Sequence, residues 1–206
     1  MALTIDSTVT LSSGHKMSRL GFGAFENSDV RPMLEAFKVG YRHVDSAQWY
    51  GNEAQVADAV RESGLDRGDV FVPTKCISET HGYESTKKGI DDFLAKMKFD
   101  YVDLFLIHDP LSGMERRLAR HFRSPKLLER LDLSVASILS KKKIVEYCKD
   151  EYCKDNDIVV EANCPIISGK MDHPVIQEVA AKYNATLLRS GAVGHSEKAS
   201  FVRKQH

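Results

Sequence analysis

The sequence predicts an α/β protein, an incomplete (β/α)8 barrel of the TIM type, in which parallel strands form an inner sheet beneath an outer layer of helices. Two observations support this fold. Apolar, β-rich runs alternate with amphipathic helical patterns through the first 110 residues. Three predicted strands begin at residues 41, 70 and 101, which gives strand–helix units of 29 and 31 residues. Units of this length are typical of βαβ connections in a parallel sheet.

The composition is that of an ordinary globular protein. The chain has 206 residues, 28% of them charged and 42% hydrophobic, and its 29 basic and 29 acidic side chains give no net charge. This balance argues against a nucleic-acid partner, which would favour a basic excess. No apolar run is long enough to cross a membrane, and the N-terminal residues lack the pattern of a secretory signal. We therefore expect a cytoplasmic protein with no membrane partner.

The four cysteines indicate neither a disulfide framework nor a metal site. Their number is far below that of a disulfide-rich domain, and a reducing cytosol would keep them as thiols. Cys148 and Cys153 lie in a tandem repeat, in which Glu146–Asp150 and Glu151–Asp155 share one five-residue sequence. The repeat explains their spacing, and no further ligands follow at zinc-site distances. We predict no bound metal.

The elements of the first half follow in a regular order. A small hairpin is predicted first, with strands at Val9–Leu11 and Met17–Arg19. Four barrel strands are then predicted at Leu20–Gly23, Tyr41–Asp45, Val70–Lys75 and Tyr101–His108. Helices are predicted between them at Val30–Val39, Gly51–Ser63 and Ser85–Met97.

The same segments favour a barrel over a doubly wound sheet. A doubly wound nucleotide-binding sheet would carry a glycine-rich phosphate motif after its first strand, and Gly21–Gly23 is too short to count as one. Phe105, Leu106 and Ile107 form a continuous apolar run, as expected of a strand that is covered on both faces.

Ionisable side chains stand at the ends of three predicted strands. Asp45, Lys75 and His108 each close a strand, and Tyr50 follows Asp45 in the next loop. Because the carboxyl ends of parallel barrel strands meet at one face, these side chains are expected to converge there. A single such residue usually has a structural role, whereas three at the same end of neighbouring strands indicate a reactive site.

These residue types suggest acid catalysis by a phenol. Tyrosine titrates near ~10 in water and needs a neighbouring cation to become a useful proton donor. Lys75 would provide that cation, Asp45 would hold it in place, and His108 would orient a substrate carbonyl. No side chain donates hydride, so a carbonyl reduction here requires a nicotinamide cofactor.

Four segments resemble the aldo-keto reductases in order and spacing: Gly21–Gly23, Tyr41–Glu53, Pro73–Lys75 and Asp100–Pro110. The resemblance implies an NADPH-dependent barrel enzyme that reduces aldehydes or ketones with an Asp-Tyr-Lys-His tetrad.

Each site residue takes its role from this resemblance. The tetrad falls on Asp45, Tyr50, Lys75 and His108, with Tyr50 as the proton donor. Phe25 and Trp49, together with His108, are expected to bind substrate, and Gly23 and Asp45 to bind the cofactor. Ordinary packing is the alternative role for Trp49.

The resemblance does not extend over the whole chain. Within a single domain, 1–206, it covers 1–111 and 144–185, whereas 112–143 and the tail 186–206 diverge. Strands like the family's first four and seventh are recognisable, the seventh at Asp157–Pro165, and strands five, six and eight are expected to be missing. Helices are predicted near 115–122, 125–131 and 144–150, and a further helix has Asp172 as its cap and Pro174 in its first turn. The segment Leu133–Leu139 fits a helix or a strand equally well.

One further departure and one consequence concern the site and the sheet. The family usually has an aromatic residue that stacks on the nicotinamide at the position where this chain has Asn163. An incomplete sheet would leave unpaired strand backbone, so self-association through an open barrel edge is expected.

Three functions remain open on the sequence alone. The first is an active reductase that uses NADPH on a small-molecule carbonyl substrate. The second is a non-catalytic, truncated family member that persists as a remnant or pairs with another subunit. The third is a regulatory subunit. The sequence does not choose between NADPH and NADH or identify the carbonyl.

Overall fold

The computed structural model describes residues 4–11, 13–108, 135–136, 159–162, 174, 177–178, 181 and 200–204. The predicted hairpin is confirmed. Strands β1 (Thr8–Thr10) and β2 (Lys16–Ser18) pair antiparallel. Met17 of β2 is fully buried and packs with Leu11 of the hairpin and with apolar side chains at or next to the barrel strands: Phe71, Leu104 and Leu106.

The alternation of strands and helices predicted for the first half is also confirmed. The strands are β3 (Leu20–Gly23), β4 (Val44–Asp45), β5 (Pro73–Cys76) and β6 (Leu104–Ile107). The helices are α1 (Arg31–Lys38), α2 (Glu53–Glu62) and α3 (Tyr83–Met97).

Each helix buries one apolar face against the strands. Pro32 lies in the first turn of α1, where a missing backbone N–H costs no hydrogen bond. Helix α3 ends at Met97 and is followed by the capping residue Lys98, which adopts a left-handed conformation with φ of 54°. The side chains that pack into the core from these helices are Met33, Ala36, Phe37, Val56, Ala57, Ala59, Val60, Ile90, Phe93 and Met97.

Three further strands lie among the described residues of the second half of the chain. They are β7 (Val135–Ala136), β8 (Val159–Ala162) and β9 (Ser200–Lys204). Strand β8 confirms the strand that the resemblance predicts there. The segment Leu133–Leu139 was expected to be either a helix or a strand, and its two described residues, Val135 and Ala136, form strand β7.

The described barrel strands are parallel and lie in the order β6-β5-β4-β3-β9-β8-β7. A single bridge between His43 and Phe71 joins β4 to β5. The two strands at the ends of this order, β6 and β7, come within 8 Å of each other between Cα atoms. The described strands therefore curve round towards closure, as a barrel requires.

The prediction that the tail contributes no strand is wrong. Ser200–Lys204 pairs in parallel with β3 on one side and with β8 on the other. The physical reason is that sheet pairing uses backbone N–H and C=O groups, which any extended segment offers whatever its side chains. Strand β9 thus occupies the place next to β3, where the sequence predicted an open edge.

Several predictions lie outside the described residues. These are the helices near 115–122, 125–131 and 144–150, the residue Asn163 and the helix cap Asp172. Pro174, Gln177, Glu178 and Ala181 are helical and exposed, in agreement with the helix predicted to begin near Pro174. None of the described helices has the length and apolarity that a membrane crossing requires.

Candidate active site

The structure brings all four predicted tetrad residues together at the carboxyl end of the barrel strands. Asp45 is the last residue of β4, Lys75 is the third of the four residues of β5, and His108 follows β6 directly. Tyr50 ends a 3₁₀ turn that starts three residues after β4. Adjacent parallel strands place their carboxyl ends side by side, which is why residues up to 63 positions apart meet here.

Asp45 and Lys75 form a buried ion pair. Lys75 Nζ donates to Asp45 Oδ1 at 2.5 Å and to the backbone carbonyl of Ser46 at 2.9 Å. Only 2% of Lys75 and 5% of Asp45 is exposed. Burial acts to lower the pKa of Lys75, but the negative charge of Asp45, the neighbouring Tyr50 and the hydrogen bond to Asp45 raise it overall. Lys75 is therefore a fixed ammonium at neutral pH.

The Tyr50 hydroxyl lies beside this pair and is half-buried. Its oxygen is 3.4 Å from Lys75 Nζ and 3.5 Å from Asp45 Oδ2. The imidazole of His108 faces the phenol edge-on, with ring centroids 5.7 Å apart and planes at 83°. A phenol, an ammonium and an imidazole thus border one space, in which a carbonyl oxygen could accept a proton.

Aromatic side chains form a wall next to the phenol. Phe25 stacks on Trp49, with centroids 5.6 Å apart and planes at 14°, and lies 5.0 Å from the Tyr50 ring. Trp49 also meets His108 edge-on at 6.2 Å. Because 66% of Trp49 is exposed, ordinary core packing does not account for it. The wall leaves an apolar surface at the mouth of the site.

Two residues without a predicted role, Asn52 and Gly51, position the segments that carry this wall. Asn52 is buried, and its side-chain amide donates to the carbonyls of Ala24 at 2.5 Å and Asn27 at 2.9 Å. It thereby fixes the segment that carries Phe25. Gly51 adopts a left-handed φ of 68°, which allows the chain to turn from Tyr50 into α2.

A second buried carboxylate, Glu53, supports β5 from the neighbouring helix α2. Glu53, at the start of α2, accepts hydrogen bonds from Thr74 Oγ1 and Lys96 Nζ, both at 3.0 Å. Thr74 directly precedes Lys75, so this link fixes the strand that carries the ammonium. The sequence gives no sign that Glu53 supports β5, because an acidic residue is favoured at the start of any helix by the helix dipole.

Two further titratable side chains, His43 and Glu161, lie in the barrel interior, and sequence reasoning missed both. His43 is fully buried and directly precedes β4. It lies two residues before Asp45 and therefore on the same face of the extended chain. Glu161 projects from β8, and its Oε1 is 3.7 Å from His43 Nε2. Period-two alternation around Asp45 could have identified His43, whereas Glu161 has no local signal.

The reacting end of a nicotinamide cofactor fits the residues present. Gly23 ends β3 and lies opposite Asp45 in the strand register. Because glycine has no side chain, no Cβ projects from β3 beside the ion pair. Gly23 and Asp45, predicted to contact the cofactor, are thus neighbours, and Tyr50 and Lys75 lie at the same end.

Comparisons with known proteins point to one family. Residues 14–115 match the model of the aldo/keto reductase family. An uncharacterized oxidoreductase, YtbE of Bacillus subtilis (strain 168), is 30% identical over 92% of this chain and 79% of its own length. Glyoxal reductase of the same strain is 28% identical over 92% of this chain and 78% of its own.

A solved structure agrees with this result. The crystal structure of an aldo/keto reductase from Brucella melitensis superposes with a TM-score of 0.81 at 30% identity. The match covers 100% of this chain and 88% of that one.

Proposed function

Because the chain belongs to the aldo-keto reductase family, a group of oxidoreductases with carbonyl substrates, we propose that it reduces an aldehyde or ketone to an alcohol with NADPH. The observation that carries the proposal is the Tyr50 hydroxyl, 3.4 Å from the buried ammonium of Lys75. A phenol in this position can give a proton to a carbonyl oxygen and leave a phenolate that the ammonium stabilises.

Each tetrad residue has a defined part in this reaction. NADPH, when bound, supplies the hydride that the carbonyl carbon receives. Tyr50 gives its hydroxyl proton to the carbonyl oxygen as the alcohol forms. Lys75 stabilises the resulting phenolate, and Asp45 keeps Lys75 charged and in place through the 2.5 Å hydrogen bond. His108 borders the phenol and orients the carbonyl towards it.

The proposed cofactor and substrate sites adjoin each other. Gly23 and Asp45 would hold the nicotinamide end of NADPH, since they are register partners at the carboxyl ends of β3 and β4. Phe25, Trp49 and His108 bind the carbonyl substrate through the aromatic wall. A substrate with a small apolar or flat group next to its carbonyl suits such a wall.

A fluorescence titration with NADPH tests the proposal first. Saturable binding is expected, followed by NADPH consumption in the presence of small aldehydes, including glyoxal, the compound that names the second relative. Tyr50→Phe should bind NADPH but not consume it. The proposal fails if the wild-type chain shows no saturable binding at near-millimolar NADPH.

A second function is a non-catalytic member of the family. The observation in its favour is that the family model matches only residues 14–115. This role predicts a concentration-dependent oligomer, in which another subunit completes the barrel, and no turnover. Sedimentation velocity over a range of concentrations tests it, and a stable monomer with turnover would contradict it.

The cytoplasm is the compartment that we propose. The chain has four cysteines in 206 residues, far fewer than a small disulfide-stabilised domain of an oxidising compartment would carry. Quantifying the reactive thiols of the protein purified from cytosol without reductant would test this, since disulfide-bonded cysteines would contradict it.

A further inference from the structure

We infer that Glu161 and His43 share one proton in the barrel interior, and that Glu161 acts as a positioning residue for Tyr50 by staying neutral beside the Asp45–Lys75 ion pair. The inference rests on the proposed function only for its catalytic consequence. The sharing of the proton is a property of the folded chain itself.

The tautomer of His43 follows from its hydrogen bond. His43 Nδ1 lies 3.1 Å from the backbone carbonyl of Ser18. A carbonyl oxygen can only accept, so Nδ1 carries a hydrogen and donates it. In the neutral ring, Nε2 is then left with a lone pair.

Nε2 faces a carboxyl group. Glu161 Oε1 is 3.7 Å away, and neither atom has another hydrogen-bond partner among the described residues. His43 is fully buried and the Glu161 side chain is 10% exposed, so water does not readily substitute for a partner. A lone pair and a carboxylate oxygen repel each other, and one proton between the two groups turns this contact into an attraction.

The surrounding charges decide which group carries that proton. Asp45 on β4 and Lys75 on β5 are the charged groups that act on Glu161 from the packed strands. Burial and the negative charge of Asp45 raise the pKa of Glu161 to about 8, and Lys75 opposes them. Burial lowers the pKa of His43. Glu161 is therefore the protonated partner, and His43 is neutral.

A neutral Glu161 matters for Tyr50 because Lys75 has only one positive charge. With Glu161 protonated, that charge faces one carboxylate, Asp45, and the phenol. An ionised Glu161 would add a second carboxylate near Lys75 and weaken its stabilisation of the Tyr50 phenolate. Glu161 thus acts on the proton donor through Lys75, without contact with the substrate.

Two variants with the same chemical change separate the positioning role of Glu161 from the general effect of losing one carboxylate. Glu161→Gln keeps the shape of the side chain, can donate to His43 and cannot ionise. Glu178→Gln makes the same change at an exposed helical position. Selective ¹³C labelling of glutamate carboxyls and ¹⁵N labelling of histidine report the charge of Glu161 and the tautomer of His43 by NMR.

The expected result is a glutamate carboxyl signal that titrates well above the others, absent in Glu161→Gln and retained in Glu178→Gln. The His43 signal should show hydrogen on Nδ1. Above about pH 8 the wild-type Glu161 ionises, whereas Gln stays neutral. The Tyr50 phenolate that forms in this range, followed by the ¹³C signal of the ring carbon at the hydroxyl, should therefore appear at lower pH in Glu161→Gln, and Glu178→Gln should leave this titration unchanged.

Other results overturn the inference. An ionised Glu161 at pH 6, or hydrogen on Nε2 of a neutral His43, would contradict the shared proton. An unchanged Tyr50 titration in Glu161→Gln would contradict the positioning role. These readouts need no turnover, so a wild-type chain that shows them and reduces no carbonyl refutes the proposed function alone. If Glu161→Gln does not fold, the wild-type titrations still decide the shared proton.

Discussion

Lys75 Nζ lies 2.5 Å from Asp45 Oδ1, and the two side chains are almost fully excluded from solvent. Neighbouring strands supply the two residues, so the backbone of the sheet sets their separation. The Tyr50 hydroxyl lies at the open side of this pair, 3.4 Å from the ammonium. This arrangement separates two requirements of the site, because the charge is held in the interior and the proton donor faces the space for substrate.

Removal of the phenol hydroxyl should abolish turnover. Tyr50→Phe keeps the ring that contacts Phe25 and His108 and removes only the hydroxyl that carries the proton. We expect kcat to fall by about 10²–10⁴-fold, the usual contribution of a general acid. Steady-state kinetics and a parallel NADPH titration measure this, and the cofactor affinity should change little. A variant that retained its rate would exclude Tyr50 as the acid.

Lys75→Met should lose both turnover and stability. It leaves the buried Asp45 carboxylate without its cation, and breaking a buried pair in this way costs about 3–5 kcal/mol of unfolding free energy. Urea denaturation measures the loss. The double variant Lys75→Met/Asp45→Asn should recover part of the stability and none of the turnover. Equal stability of the single and double variants would contradict this account.

Trp49→Ala should affect substrate binding with little effect on folding. Its indole is 66% exposed, and its contacts are the Phe25 and His108 rings of the site. We expect KM for an aldehyde to rise several-fold while the unfolding free energy stays within about 0.5 kcal/mol of wild type. Val39→Ala is the matched control, since Val39 is also 66% exposed and lies at the end of α1. Equal effects of the two variants on KM would contradict the proposed role.

Asn52→Ala should destabilise the loop that carries Phe25. The variant leaves the carbonyls of Ala24 and Asn27 without their buried donor, which costs about 1–3 kcal/mol. Ser28→Ala, at an exposed position of the same loop, should cost far less. Urea denaturation of both variants tests this, and a similar cost for the two would show that the Asn52 bridge contributes little.

Stability should decrease as the pH rises from 6.5 to 8. In this range the unfolded chain has an ionised Glu161, whereas the folded chain retains the proton because its pKa is raised from 4.5 to about 8. The folded state binds more protons, so raising the pH favours unfolding by up to about 1.4 kcal/mol per pH unit.

His43 acts in the opposite direction and at lower pH. Burial lowers its pKa from 6.5, so its contribution to stability is present above that value and is lost as the pH falls below it. Urea denaturation at several pH values between about 7 and 8, where an unfolded histidine is mostly neutral, therefore reports mainly on Glu161. Glu161→Gln should remove the slope, and identical slopes in the variant and wild type would contradict the pKa assigned to Glu161.

Much of the fold and most of the candidate site could be predicted from the sequence. The apolar runs and helical periodicity of residues 20–108 are local properties, and local burial determines which segments become strands or helices. Asp45, Lys75 and His108 were predicted to meet because each closes a strand, and parallel strands align their ends. These predictions needed no knowledge of distant pairing.

Tertiary structure alone decided the rest. Strand β9 pairs with β3 across about 180 residues of chain, and its side-chain pattern gave no sign of it, because the pairing uses backbone groups. Glu161 meets His43 only because β9 places β8 on the far side of β3. The charge state of a buried carboxyl depends on the groups that closure of the sheet brings around it, and no local stretch of sequence contains that information.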